Sequence, residues 1–143
     1  MLAPVFFLAA GLLVLAGAAK ILRPDPTAQA LLVETTNDMR INREEIFGPI
    51  ASVVRADDPE QALALANDTE FGLSAGVCTP SLKHAAMFRD GLQAGIVAIN
   101  LPSAGVDHHV PFGGTKGSSS GPREQGRYAV EFFTTVKTTY TRP

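Results

Sequence analysis

Residues 1–19 (MLAPVFFLAAGLLVLAGAA) carry no charged side chain, and only Pro4, Gly11 and Gly17 interrupt the apolar run. As a helix this stretch would be about 28 Å long at ~1.5 Å per residue, close to a hydrocarbon core of roughly 30 Å. Three readings are open. A secretory signal peptide would find a small-residue cleavage site in Ala16-Gly17-Ala18, but it needs a basic region first, and only the α-amine is there. A buried globular helix is rarely so uniformly apolar. A single transmembrane helix over residues 1–22 fits the length best. Lys20 and Arg23 follow the run at once. Positive residues stay on the cytoplasmic side, so a single-pass membrane location with the C-terminal part cytoplasmic is expected. Pro24-Asp25-Pro26 stops a helix and opens a linker over residues 23–30.

From residue 31 onward the composition changes, to ten Lys+Arg and thirteen Asp+Glu. The whole chain carries a net charge of −2, which excludes a nucleic-acid binder relying on bulk positive charge. Its single cysteine excludes an internal disulfide framework and any paired-cysteine zinc or redox site.

The pattern of residues 31–143 is that of an α/β protein. Leu31-Leu32-Val33 opens a short strand, and Ile50 to Arg55 (IASVVR) is β-branched and apolar. Asp58 caps a helix with Pro59 in its first turn. Leu73 to Cys78 reads as a buried strand, and Thr79-Pro80 repeats the cap-plus-proline signal. Leu82, Ala85, Phe88 and Leu92 then share one helical face, and Ile96 to Ile99 is another strand. Strand, helix, strand, helix, strand at this spacing implies crossover units and a mainly parallel sheet. Asn100 to Gly121 is a long loop, of a length usually functional or disordered. Pro122 opens a last helix, and Thr134 to Tyr140 (TTVKTTY) alternates as a final strand at a sheet edge or against another chain.

Four strings in order carry a family resemblance: EEIFGP (Glu44 to Pro49), ANDTEFGLSAGV (Ala66 to Val77), AGIVAIN (Ala94 to Asn100) and PFGGTKGSSSGPREQGRYA (Pro111 to Ala129). Together they resemble the C-terminal part of the aldehyde dehydrogenase superfamily over roughly residues 31 to 143. GVDHHVPFGG and TTVKTTYTRP look most like its α-ketoglutarate semialdehyde dehydrogenase branch. The resemblance implies a partial catalytic domain ending in an oligomerisation strand, with NAD(P) as the family's cofactor. It covers only the last quarter or so of such an enzyme. The segments expected to carry the dinucleotide-binding glycine-rich turn, the nucleophilic cysteine, the general-base glutamate and the oxyanion-hole asparagine are not in the matched strings.

By that resemblance Glu45 is the carboxylate that accepts hydrogen bonds from the nicotinamide ribose hydroxyls, and Phe47 lies beside the nicotinamide. Asn100 and Phe112 would stand at the aldehyde entrance. Each also has a plain structural reading: a solvated glutamate, a core aromatic under the Gly48-Pro49 turn, and loop anchors. Cys78 lies in an apolar strand with no activating base in sequence view, so it reads as a buried small hydrophobe. Asp107-His108-His109 with His84 lacks metal-ligand spacing. GGTKGSSSG evokes a phosphate loop but fails the required spacing. Thr115, Ser120 and His108 depart from the branch's pattern near the substrate mouth.

The expectation is a truncated aldehyde dehydrogenase, an oxidoreductase by family, inactive alone and binding no NAD(P) by itself. Two alternatives remain: a membrane-tethered module pairing with dehydrogenase subunits, or with itself, through residues 134–140, and a gene-fusion remnant.

Overall fold

The computed structural model describes residues 5–9, 12–16, 30–103, 105 and 107–143. Its core is one six-stranded sheet. The strands are β1 (Val5–Ala9), β2 (Leu12–Ala16), β3 (Ala30–Thr35), β4 (Ile50–Ala56), β5 (Ser74–Cys78) and β6 (Ile96–Ile99), in the spatial order β3-β4-β2-β1-β5-β6. β4 runs parallel to β3 and β2, and β5 runs parallel to β6. The expected parallel sheet is therefore present. Only β1 is antiparallel, to both β2 and β5.

Two helices make the crossovers. Asp58 accepts a 2.7 Å bond from the Gln61 amide and caps α2 (Pro59–Asn67), with Pro59 in the first turn as the sequence predicts. Ala62 and Ala66 of α2 meet Ala56, Ala75 and Val77 of the sheet, and these small side chains let the helix lie close to it. The chain then enters β5 and continues into α3 (Leu82–Gly91). The cap of α3 is Ser81, two residues beyond the predicted Thr79, whose hydroxyl instead accepts from the Ser81 amide. Phe88 is fully buried and Leu92 nearly so, but Leu82 is 87% exposed and drops out of the predicted apolar face.

The expectation for residues 1–22 is corrected. The described parts of that run form strands, and among the described residues no helix is long and apolar enough to cross a membrane. The rest of that run, and most of the linker up to residue 29, lie outside the described residues. The physical reason for the error is general. A strand buried on both faces is continuously apolar, and periodicity cannot tell it from a buried helix.

Three further differences follow from hydrogen bonding. A short helix α1 (Arg40–Arg43) forms between β3 and β4, where the sequence reading places no element. The last helix, α4, covers only Tyr128–Phe133, because Glu124 is drawn into a bridge with Phe112. Residues 134–143 form no strand and are exposed throughout, and no strand lies alongside them among the described residues.

Candidate cofactor and substrate site

The segment carrying Glu45 and Phe47 hangs between α1 and β4, and it is fixed from behind by a buried amide. Asn42 is 9% exposed. Its Nδ2 donates to Thr35 Oγ1 at 3.1 Å and to the Thr36 carbonyl at 2.8 Å, while its Oδ1 accepts from Ser52 Oγ at 2.5 Å. One side chain thus ties α1 to β3 and β4 with its polar atoms satisfied, which is what burial of an amide requires. Arg43 adds a tie to the end of α2, with Nη2 2.7 Å from Asp68 Oδ2 and Nη1 donating to the Asp68 carbonyl at 2.8 Å. Arg43, first by its hydrogen bond, holds the Asp68 carboxyl below its ordinary value.

The two glutamates of this segment differ. Glu44 receives both forks of Arg40, each at 2.9 Å, and that contact lowers its carboxyl first through the hydrogen bond and then through charge. Glu45 makes no hydrogen bond or ion pair among the described residues, so its acceptor capacity is open. Phe47 is 90% exposed at φ +53°, a left-handed backbone that bulky residues rarely adopt. It is therefore not the core aromatic of the plain reading.

Glu45 and Phe47 line one open cleft of about 620 Å³, together with Asn67, Thr69, Leu73 and Ser118. Among the described residues, the charged side chains of its lining are Glu44 and Glu45. A carboxylate with open acceptor capacity on a cleft wall suits hydroxyl donors.

Neither Asn100 nor Phe112 is part of that lining. Asn100, at φ +56°, accepts from the Thr79 amide through Oδ1 at 2.8 Å and donates from Nδ2 to the Thr79 carbonyl at 3.0 Å. Its amide braces the ends of β5 and β6. Phe112 is half-buried and exchanges both backbone bonds with Glu124, at 2.7 and 2.8 Å. The structure brings two of the four predicted residues together and leaves the other two as loop anchors.

The glycine-rich run after Phe112 is a clamp on the strand starts. The amides of Gly95 and Thr115 both donate to the Gly72 carbonyl at 2.9 Å, Gly117 donates to Glu70 at 3.0 Å, and Gly72 donates to Ser118 Oγ at 2.9 Å. Thr115 Oγ1 donates to the Gln93 carbonyl at 2.7 Å. Lys116 Nζ reaches the Asn67 and Thr69 carbonyls at 2.6 and 3.0 Å. A Cβ on Gly95 would run into the Gly113 carbonyl. The resemblance to a phosphate loop is thus a matter of composition, since these amides and this lysine already have protein acceptors. The sequence reading missed Asn42 and the wall residues Asn67, Thr69 and Ser118. Only the polar character of Asn42 in a short connection hinted at burial. Cys78 ends β5 and is exposed, not the buried small hydrophobe the sequence suggests, because it stands at the strand's end, where the buried run Ala75 to Val77 stops. Among the described residues no three His, Cys, Asp or Glu side chains gather as a metal site.

A mainly parallel sheet with crossover helices, an exposed glutamate beside an open cleft and a glycine-rich clamp define an α/β domain, and comparison with known proteins supplies the family. The aldehyde dehydrogenase family model matches residues 10–139, so the chain belongs to the aldehyde dehydrogenase family. The match reaches back past residue 31 and takes in β2. The chain is 46% identical over 114 residues to an alpha-ketoglutaric semialdehyde dehydrogenase of Bacillus subtilis, covering 80% of this chain and 23% of that protein. It is likewise 46% identical over 104 residues to an alpha-ketoglutarate semialdehyde dehydrogenase of Haloferax volcanii, covering 72% and 22%. Among solved structures, a salicylaldehyde dehydrogenase of Pseudomonas putida complexed with salicylaldehyde superposes with a TM-score of 0.70 at 36% identity, over 75% of this chain and 22% of that one. A Mycobacterium tuberculosis aldehyde dehydrogenase complexed with NAD+ gives 0.65 at 33% identity, over 78% and 24%. The chain spans between a fifth and a quarter of the length of these relatives.

Proposed function

We propose that these 143 residues form part of an NAD(P)-dependent aldehyde-oxidising site and carry none of its covalent chemistry. The observation that carries this reading is the pairing of Glu45, which has no hydrogen-bond or ion-pair partner among the described residues, with exposed Phe47 on one cleft. Glu45 accepts two ribose hydroxyls and so sets the rotation of the nicotinamide, and Phe47 limits where the ring rests. Bound NAD(P) would supply the hydride acceptor. Asn100 and Phe112 hold the wall of the aldehyde entrance rather than touching the aldehyde. The substrate class is a short semialdehyde, supported by the two α-ketoglutarate semialdehyde relatives.

The chain alone is inactive under this reading and binds no NAD(P) measurably, because a ribose contact without a phosphate-binding turn leaves most of a dinucleotide unheld. Incubation of the purified chain with NAD+ or NADP+ and a panel of aldehydes should give no absorbance of reduced cofactor. Turnover that vanishes in Cys78→Ser would sink the proposal, since it would place the nucleophile within these residues.

The exposed segment 134–140 supports a partner surface. Val136 is 97% and Tyr140 95% exposed, on a strand-like sequence with free backbone groups. A strand of another dehydrogenase subunit, or of a second copy, is the matching occupant. Tandem affinity capture with a full-length dehydrogenase should retain the chain and should lose it when residues 134–143 are deleted. Equal retention of both forms would dismiss the surface.

A further inference from the structure

β1 departs from the rest of the sheet in two ways. The other five strands run in one direction, and β1 alone runs against them, antiparallel to both β2 and β5. It also precedes the family match, which begins at residue 10. The crossover through α2 leads from β4 to β5 but skips two strand positions, which β2 and β1 fill. Without β1, β2 and β5 would stand about two strand spacings, or ~9.6 Å, apart, beyond the reach of any backbone hydrogen bond. β5 is among the most buried elements of the fold, with Ala75 at 3% and Val77 at 1% exposure, so its open edge would not be solvated as a surface strand is.

We propose that Val5–Ala9 is a sealing strand supplied by this chain itself, which joins two parallel half-sheets, β3-β4-β2 and β5-β6, into one. The occupant is intramolecular because Ala9 pairs with Leu12 across only two residues. So short a hairpin closes at little entropic cost, whereas a strand from a second molecule would surrender its translational freedom. The role of the segment is then to hold the two half-sheets together from within this chain.

The chain's single thiol provides the test. In the register, residue 6 stands directly opposite Cys78 and residue 7 opposite Val77. Cα atoms of directly opposed antiparallel residues lie about 4.5–5.5 Å apart, within the range of about 4.4–6.8 Å that a disulfide spans. In the full chain, Phe6→Cys treated with diamide in dilute solution should form an intramolecular disulfide with Cys78. The two thiols lose their hydrogens to diamide, which is reduced to the hydrazine, and a monomer with no free thiol remains. Phe7→Cys, one step off and on the opposite face, should keep both thiols. No link in Phe6→Cys, or equal linking in both variants, overturns the proposal. A disulfide-linked dimer overturns the intramolecular pairing in favour of strand exchange between copies. Hydrogen exchange on the unaltered chain in detergent-free buffer guards against a variant that fails to fold. The amides of residues 6–8 should be slowed on the order of 100-fold or more, together with those of residues 75–77. Fast exchange at residues 6–8 while β5 stays protected also overturns it.

Discussion

The glycine-rich run from Phe112 to Ser120 and the tail from Thr134 to Pro143 behave in opposite ways. The first has almost no regular structure, yet its backbone and side chains bond to Glu70, Gly72, Gln93 and the end of α2, and Gly113 and Gly114 are buried. The second has a β-branched, alternating sequence and makes no strand. Order follows the availability of partners for N–H and C=O groups more closely than it follows local propensity. The clamp finds its partners inside the chain, whereas beyond the Thr134 hydroxyl bonded to the Val130 carbonyl the tail pairs with no strand among the described residues.

The largest effect should come from prising the clamp off its seat. A Cβ at position 95 meets the Gly113 carbonyl group and comes within 2.8 Å of Gly114 Cα, all backbone atoms that cannot rotate away. Gly95→Ala should therefore cost about 3 kcal/mol or more, at the upper end of overpacking penalties. Chemical denaturation of the full chain measures it. A loss below about 1 kcal/mol would mean that the loop yields easily and that the two regions differ less than their bonding suggests.

A smaller effect is expected at Lys116. Its ammonium donates to the Asn67 and Thr69 carbonyls just past α2, a charged cap on a helix end. Lys116→Met keeps the stem and removes the charge. The contact is exposed, so the loss should be about 1 kcal/mol, read by the same denaturation curve. No change would show that the clamp is held by its backbone bonds alone.

These partners explain what the sequence could and could not disclose. β4, α2 and β6 were legible because their signals are local: β-branched runs, Asp58 followed by Pro59, and a terminating Gly95. The strand nature of Val5–Ala9 was not, because an apolar run reports burial and says nothing of whether neighbours lie beside it or along it. Of the cleft, Glu45 and Phe47 were singled out through the EEIFGP string, and both lie on its wall. The roles of Asn100 and Phe112 as braces were hidden, because they depend on Thr79 and Glu124, residues 21 and 12 positions away by subtraction of their numbers. Asn42 was passed over for the same reason. Its partners lie on two strands that sequence spacing alone does not bring together.

A pH titration sharpens the comparison at the other end of the clamp's anchor. Arg43, and more weakly Asn37 and Lys116, hold the Asp68 carboxyl below its ordinary value, so the folded chain keeps this charge to lower pH than the unfolded chain does. The stability it contributes is complete above the ordinary carboxylate pKa of about 3.9 and is lost as pH falls through the depressed folded value. Asp68→Asn should flatten the fall of the unfolding midpoint between about pH 5 and pH 3. The pair is exposed, so the effect should be modest, and a parallel fall in both proteins would remove Asp68 from the account.

The smallest effect belongs to the tail. Val136 and Tyr140 are almost fully exposed, with little packed against them among the described residues, so removing their apolar surface takes little contact from the folded monomer. Val136→Lys combined with Tyr140→Ser should leave monomer stability within about 0.5 kcal/mol of the parent. The same pair of changes should nonetheless alter how the chain associates. An unpaired segment of β-branched residues invites edge pairing, and a charge at its centre opposes that pairing. Sedimentation at several concentrations separates the two quantities. A drop in unfolding free energy at the lowest concentration would show that the tail packs on its own chain in solution, and the contrast with the clamp would then lie in the strength of attachment instead of in its presence.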